Sequence, residues 1–252
     1  MDGQPFGIGI SYERSQGQVD VDLSPEKLLQ FAIGYVALLF SLVFHENAHA
    51  IVAEHFGDPT ARDAGRITLN PLPHMDPIGT VLIPLIMIMS PYRIPLIGWA
   101  RPVPVNPSYF RNPIVHDSYV AASGPISNFI LAVSGTVLYI IVLLFYKHIP
   151  ALQGGGGNSF LFFQLFFTSL IQINCVLGIF NLLPIPPLDG HWVLFRFLPS
   201  RWASVLVAIR PYGFFILIAL MWTGVLGLVI SVPMRLIAGP LFSIVNYVWR
   251  AF

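Results

Sequence analysis

Five consecutive residues, His45-Glu46-Asn47-Ala48-His49, carry the most legible chemistry in this sequence. With 7 histidines among 252 residues, the pattern H-E-x-x-H is expected by chance only about 0.003 times, so the spacing is informative. On a helix turning about 100° per residue, the second imidazole returns to within about 40° of the first, one turn along. Both can then reach one tetrahedral zinc ion, with Glu46 beside it as a general base. The plainer reading is a pair of hydrogen-bonded histidines in a helix that dips into a headgroup region. That reading leaves an ionisable triplet at the end of an apolar span, which is costly unless it is paired or metal-bound.

A catalytic zinc commonly takes three protein ligands and keeps the fourth position open, so a further ligand must come from elsewhere. The single cysteine, Cys175, excludes a disulfide framework or a cysteine-rich zinc module and reads as a small buried apolar residue. The other histidines, His55, His74, His116, His148 and His191, stand mostly in loops or near span ends, where solvated or locally hydrogen-bonded roles are expected. Asp189 is the stronger candidate. It is the only carboxylate between Asp117 and the C-terminus, and it follows a proline-broken backbone at the end of a long apolar segment. A turn aspartate ahead of Gly190 is the competing reading.

The elements that must position these residues are membrane helices. The chain is 55% hydrophobic and only 10% charged, which excludes an ordinary soluble globule. Its 13 basic and 12 acidic residues are scattered, so nucleic acid is not an expected partner. The N-terminus lacks a basic region followed by an apolar stretch, so the first hydrophobic segment is expected to act as its own insertion signal. Spans of about 20 apolar residues are predicted from Leu28 to about Gly57, from Ser118 to Tyr146, from Phe160 to Phe180 and from Pro211 to Met234. Ser24-Pro25-Glu26 should start the first, and Gly57 should stop it. Residues 78–89 and 94–100 are each too short to cross and suggest a re-entrant element. Gly65–Leu69 reads as a short strand whose edge could accept an extended peptide.

The expected fold is therefore an all-α polytopic bundle of about four to six transmembrane helices, with a short cytoplasmic β-strand and re-entrant region after the first span. Residues 1–27 form an extracytoplasmic tail, 28–234 a membrane-embedded domain, and 235–252 a helix that lies in the interface or crosses once more. Arg62, Arg66, Arg101 and Arg111 follow the first span, and Arg196, Arg201 and Arg210 follow the Asp189 loop. Both regions should be cytoplasmic, with the N-terminus outside.

Taken together, the motifs resemble the site-2 protease family, zinc metalloproteases that cut within membranes. The similarity rests on His45–His49, Gly65-Arg-Ile-Thr-Leu-Asn-Pro71, His74-Met-Asp-Pro-Ile-Gly79, Gly98-Trp-Ala-Arg-Pro-Val-Pro-Val-Asn-Pro107, Ser123-Gly-Pro-Ile-Ser-Asn128 and Asn181-Leu-Leu-Pro-Ile-Pro-Pro-Leu-Asp-Gly190. It covers roughly residues 30–200, and the last motif is the most specific. The resemblance implies His45, His49 and Asp189 as metal ligands, Glu46 as the catalytic glutamate, and one Zn2+ per chain. It also implies a multi-pass protein of a prokaryotic cell membrane, with its active site toward the cytoplasm and transmembrane proteins of the bilayer as substrates.

No PDZ-sized insertion lies between Tyr146 and Phe160 and no appended nucleotide-binding domain is expected, so gating is expected within the membrane part or in a separate regulatory membrane protein. Asn128 and Asn181, amides inside apolar spans, are candidates for substrate binding or an oxyanion contact, although such amides also simply join helices. The alternatives to an intramembrane endopeptidase are a zinc-binding transporter and a non-proteolytic adaptor. A transporter should offer several intramembrane ionisable stations and often an internal repeat.

Overall fold

The computed structural model describes residues 24–89, 98–149 and 158–251, and every regular element among them is helical. Helix α1 runs Pro25–His55. Proline stands at its first position, where no N–H is required, and Gly57 just beyond its end adopts φ 99°, as expected, whereas Ser24 holds the N-cap position without a side-chain capping bond. The long helices that follow are α4 (Pro113–His148), started by the Asn112 side chain accepting from Val115 N–H, and α5 (Asn158–Asn181). Shorter helices α2 (Thr60–Asp63) and α3 (Ile83–Ile88) lie between α1 and α4. After α5 come α6 (Gly190–Phe195), α7 (Ser200–Ile209), α8 (Gly213–Trp222) and α9 (Val225–Ala251).

The strand expected at Gly65–Leu69 is not formed. Gly65 sits at φ 66°, turning the chain out of α2, and Arg66 swings inward to donate to the Pro73 carbonyl. Thr68 and Asn70 side chains accept from the N–H groups of Asn70 and Leu72. Such local side-chain acceptors compete directly with a ladder, and here they win. The short apolar run after it is helical, in a π-type turn over Pro77–Leu82 continuing into α3. At 12 residues it is too short to cross, as expected, whereas the second half of the expected re-entrant element falls mostly outside the described residues. Pro84 has no N–H to offer the Thr80 carbonyl four residues back, and that carbonyl accepts instead from the Tyr35 hydroxyl at 2.7 Å.

Helices α1, α4 and α5 pack on one another, with α9 against α4 and α5. Ala37, Ala132, Cys175 and Ala238 are nearly inaccessible in this core, small side chains that let membrane helices approach closely. Five helical segments are long and apolar enough to cross a membrane: 25–55, 113–148, 160–181, 200–222 and 225–251. The protein is therefore a polytopic helical bundle. The crossing expected over 211–234 is divided at Gly224, whose φ of 76° breaks the helix, and a continuous helix begins at Val225 instead.

Helix directions constrain the path further. Trp249 near the end of α9 stacks on Phe160 at the start of α5 and lies under the Lys147 ammonium at the end of α4. Helix α9 thus runs parallel to α4 and antiparallel to α5, so the chain between α5 and α9 begins and ends on the same side. Residues 200–222 are held there midway along their length, with Arg210 over the Trp192 ring at 3.7 Å and Gly213 packed on the Pro186 backbone. A single crossing by that segment would reverse α9.

Candidate metal centre

Residues on α1 at four-residue intervals, Ala37, Ser41, His45 and His49, form a buried stripe, each less than a tenth exposed. Its two imidazoles meet the loop after α5. The His45 and His49 Nε2 atoms lie 3.1 Å apart, and Asp189 Oδ2 stands 3.1 Å from the first and 3.4 Å from the second. Zinc bonds of about 2.0–2.1 Å in a tetrahedron require ligand atoms separated by about 3.3 Å, so this triangle has the dimensions of three corners. Among the described residues it is the one group of His, Cys, Asp or Glu that could hold a metal ion.

The tautomers support the fit. His49 Nδ1 lies 2.7 Å from the Val120 carbonyl, which can only accept, so Nδ1 carries the proton and Nε2 presents a lone pair. His45 Nδ1 makes the matching contact with Asn128 Oδ1 at 2.7 Å. Asp189 Oδ2 is buried and receives no hydrogen bond from the protein. Three potential ligand atoms therefore converge within 3.4 Å of one another, an arrangement that a cation resolves.

Local sequence explains how each part arrives. Pro125 in α4 leaves the Ala121 carbonyl without its helical donor and crowds the preceding turn. There the Val120 carbonyl receives both His49 Nδ1 and the Ser123 hydroxyl. Gly124 lets α4 press against the imidazoles: a Cβ there would sit 2.5 Å from His49 Nε2 and 2.6 Å from His45 Cε1. At Gly190 a side chain would strike the Leu182 and Leu183 carbonyls, so glycine allows the proline-broken loop to fold back and aim Asp189 inward. His191, next in line, is buried rather than solvated and bonds the Leu188 carbonyl; burial pulls its imidazole below the ordinary value.

Glu46 lies one residue from His45 and accepts the Val103 N–H at 2.9 Å on Oε2, which leaves its other oxygen uncommitted. Val103 belongs to an extended stretch fixed at both ends, where Arg101 N–H donates to the His74 carbonyl and Asn106 N–H donates to the fully buried Asp58 at 2.7 Å. The remaining expected site residues differ. Asn128 is fully buried with both ends of its amide engaged, on His45 and Asn174, whereas Asn181 is partly exposed and donates to the Leu177 carbonyl of its own helix. Sequence reasoning missed Asn174, Ser41, Asp58 and Val103. The first two were detectable as polar residues inside apolar spans; the contact of Val103 is made by backbone and left no side-chain signal.

Five hydrophobic helical segments and a buried His-His-Asp triangle with an adjacent glutamate define the metalloprotease class of multi-pass membrane proteins. Residues 86–222 match peptidase family M50. The chain is 37% identical over 199 residues to the candidate zinc metalloprotease YwhC of Bacillus subtilis, covering 79% of this chain and 83% of that protein. It is 29% identical over 193 residues to the candidate zinc metalloprotease Rip2 of Mycolicibacterium smegmatis, covering 77% and 68%. The Rip2 of Mycobacterium tuberculosis strain H37Rv is 27% identical over 190 residues, covering 75% of this chain and 66% of that one. This chain belongs to peptidase family M50. No solved structure matches it significantly.

Proposed function

We propose that the protein is a zinc-dependent intramembrane endopeptidase that cleaves transmembrane segments of other membrane proteins near the cytoplasmic face. The observation that carries this reading is the triangle of His45 Nε2, His49 Nε2 and Asp189 Oδ2 at tetrahedral spacing, one residue from a carboxylate held by the Val103 N–H. Zinc in that triangle would supply Lewis acidity to the scissile carbonyl. Glu46 takes a proton from the attacking water and later returns it to the leaving amine. Its contact with Val103 restrains the carboxylate, so the free oxygen is the one that moves the proton. Asn128 orients His45, and Asn181, more exposed, is left for contact with an incoming peptide. A transporter would need further ionisable stations, and the described residues offer one metal-binding cluster.

The test is a detergent assay on purified protein with a single-span substrate. Glu46→Gln keeps the side-chain size but cannot accept a proton. It should retain one zinc per chain and the parent's melting temperature while turnover falls by roughly 10² to 10⁴-fold. Cleavage by the zinc-loaded variant at the parent's rate would exclude the role of Glu46; an adaptor would show no cleavage by either protein. The Lys and Arg distribution supports the topology of the site. In a Cys175→Ser background, a cysteine placed at position 64 should react with an impermeant reagent only from the cytoplasmic side.

A further inference from the structure

Behind the metal triangle, three side chains from three different helices are wholly inaccessible: Ser41 on α1, Asn128 on α4 and Asn174 on α5. Their hydrogen bonds run in one direction. The Ser41 hydroxyl donates to the Ala37 carbonyl at 2.6 Å, so its oxygen is left as an acceptor. Asn174 Nδ2 donates to that oxygen at 2.8 Å and to the Leu170 carbonyl at 2.8 Å. Asn174 Oδ1 then accepts from Asn128 Nδ2 at 2.8 Å, which turns Asn128 Oδ1 toward His45 Nδ1.

Two backbone carbonyls fix the polarity of the chain. Ala37 and Leu170 can only accept, and a reversed Asn174 amide would set its oxygen against the Leu170 carbonyl. A reversed Asn128 would set its own oxygen against Asn174 Oδ1 and present its NH2 to His45, giving the imidazole the wrong tautomer. In a dry interior each such mismatch leaves a buried polar group unpaired.

We infer that Ser41, Asn174 and Asn128 form a carboxamide relay that locks His45 in its Nδ1–H tautomer, keeping Nε2 available to the metal. Asn174 and Ser41 are thus positioning residues that act through Asn128 without touching the metal, Glu46 or substrate. The inference rests on the zinc reading above. Outer-sphere partners of a ligating histidine typically change metal affinity by about 10–100-fold, and that is the range expected for the step nearest the ligand.

The experiment measures zinc affinity of the full-length protein in detergent by competition with a chelator, together with melting of the metal-free form. Asn128→Leu should weaken zinc binding by about 10–100-fold and Asn174→Leu by about tenfold. Asn128→Asp supplies an acceptor to His45 whichever way it turns, while its second oxygen faces Asn174 Oδ1, a repulsion that Asn174→Leu removes. It should restore affinity toward the parent's, and adding Asn174→Leu to it should cost nothing further. A merely structural role for Asn174 would lower the melting temperature in both backgrounds and leave zinc affinity unchanged; that result overturns the relay. Should the leucine variants fail to fold, 15N spectra of histidine-labelled, metal-free parent decide the matter. A single Nδ1–H form of neutral His45 is expected, and a mixture of tautomers would refute the lock. Zinc binding by the parent with an unaffected Asn174→Leu variant defeats the relay alone, whereas a parent that binds no zinc defeats the underlying reading.

Discussion

The helical bundle behaves differently at its two ends. At the metal end α1, α4 and α5 meet through directed polar contacts: imidazole to carbonyl, imidazole to amide, amide to amide and amide to hydroxyl. At the other end α4 and α5 meet α9 through Leu143, Tyr139, Phe167 and Val245, and the aromatic rings of Tyr146, Phe160 and Trp249 stack in succession. Apolar contacts depend on volume and tolerate small shifts, whereas a tetrahedral ligand set tolerates only tenths of an ångström. The two ends therefore depend on different things, packing volume at one and directed contacts at the other, and variants should separate stability from metal binding.

The widest separation is expected between two glycines on α4. Gly124→Ala would drive a methyl to 2.5 Å from His49 Nε2, with the ligand itself as the obstacle. Zinc affinity should fall by about 100-fold or more, beyond the range of outer-sphere changes, and zinc content after chelator dialysis is the measurement. Leu143→Ala removes a side chain only 1% exposed and should cost about 2–5 kcal/mol of unfolding free energy. Turnover per zinc-loaded molecule should stay at the parent's value. Gly135→Ala is the mildest. Its methyl would meet Leu170 Cδ2 at 3.1 Å, the movable tip of a side chain, and the better helix propensity of alanine offsets the crowding to within about 1 kcal/mol. A Gly135→Ala variant that lost zinc, or a Gly124→Ala variant that kept it, would erase the contrast between the two ends.

The metal end was also the more legible in sequence. His45 and His49 announce themselves by spacing, and Asp189 by being the lone carboxylate after a proline-broken span. The relay behind them was only half legible: Ser41 and Asn174 show as polar residues inside apolar spans, but nothing in the chain order links α1 to α5. The strand at Gly65–Leu69 failed for a definable reason: alternation of Ile67 and Leu69 suggested a ladder, but Thr68 and Asn70 captured the neighbouring N–H groups for themselves. Hydropathy alone could not place the last crossing, since apolar residues continue on both sides of Gly224 and only the backbone reveals the break there.

Zinc X-ray absorption on purified protein tests the central claim most directly. A site built from His45, His49 and Asp189 predicts four nitrogen or oxygen scatterers at about 2.0–2.1 Å, outer-shell features of two imidazoles and no sulfur. In Asp189→Ala that spectrum should disappear with the bound zinc. A six-coordinate or sulfur-containing spectrum, or one unchanged by Asp189→Ala, would contradict the assignment.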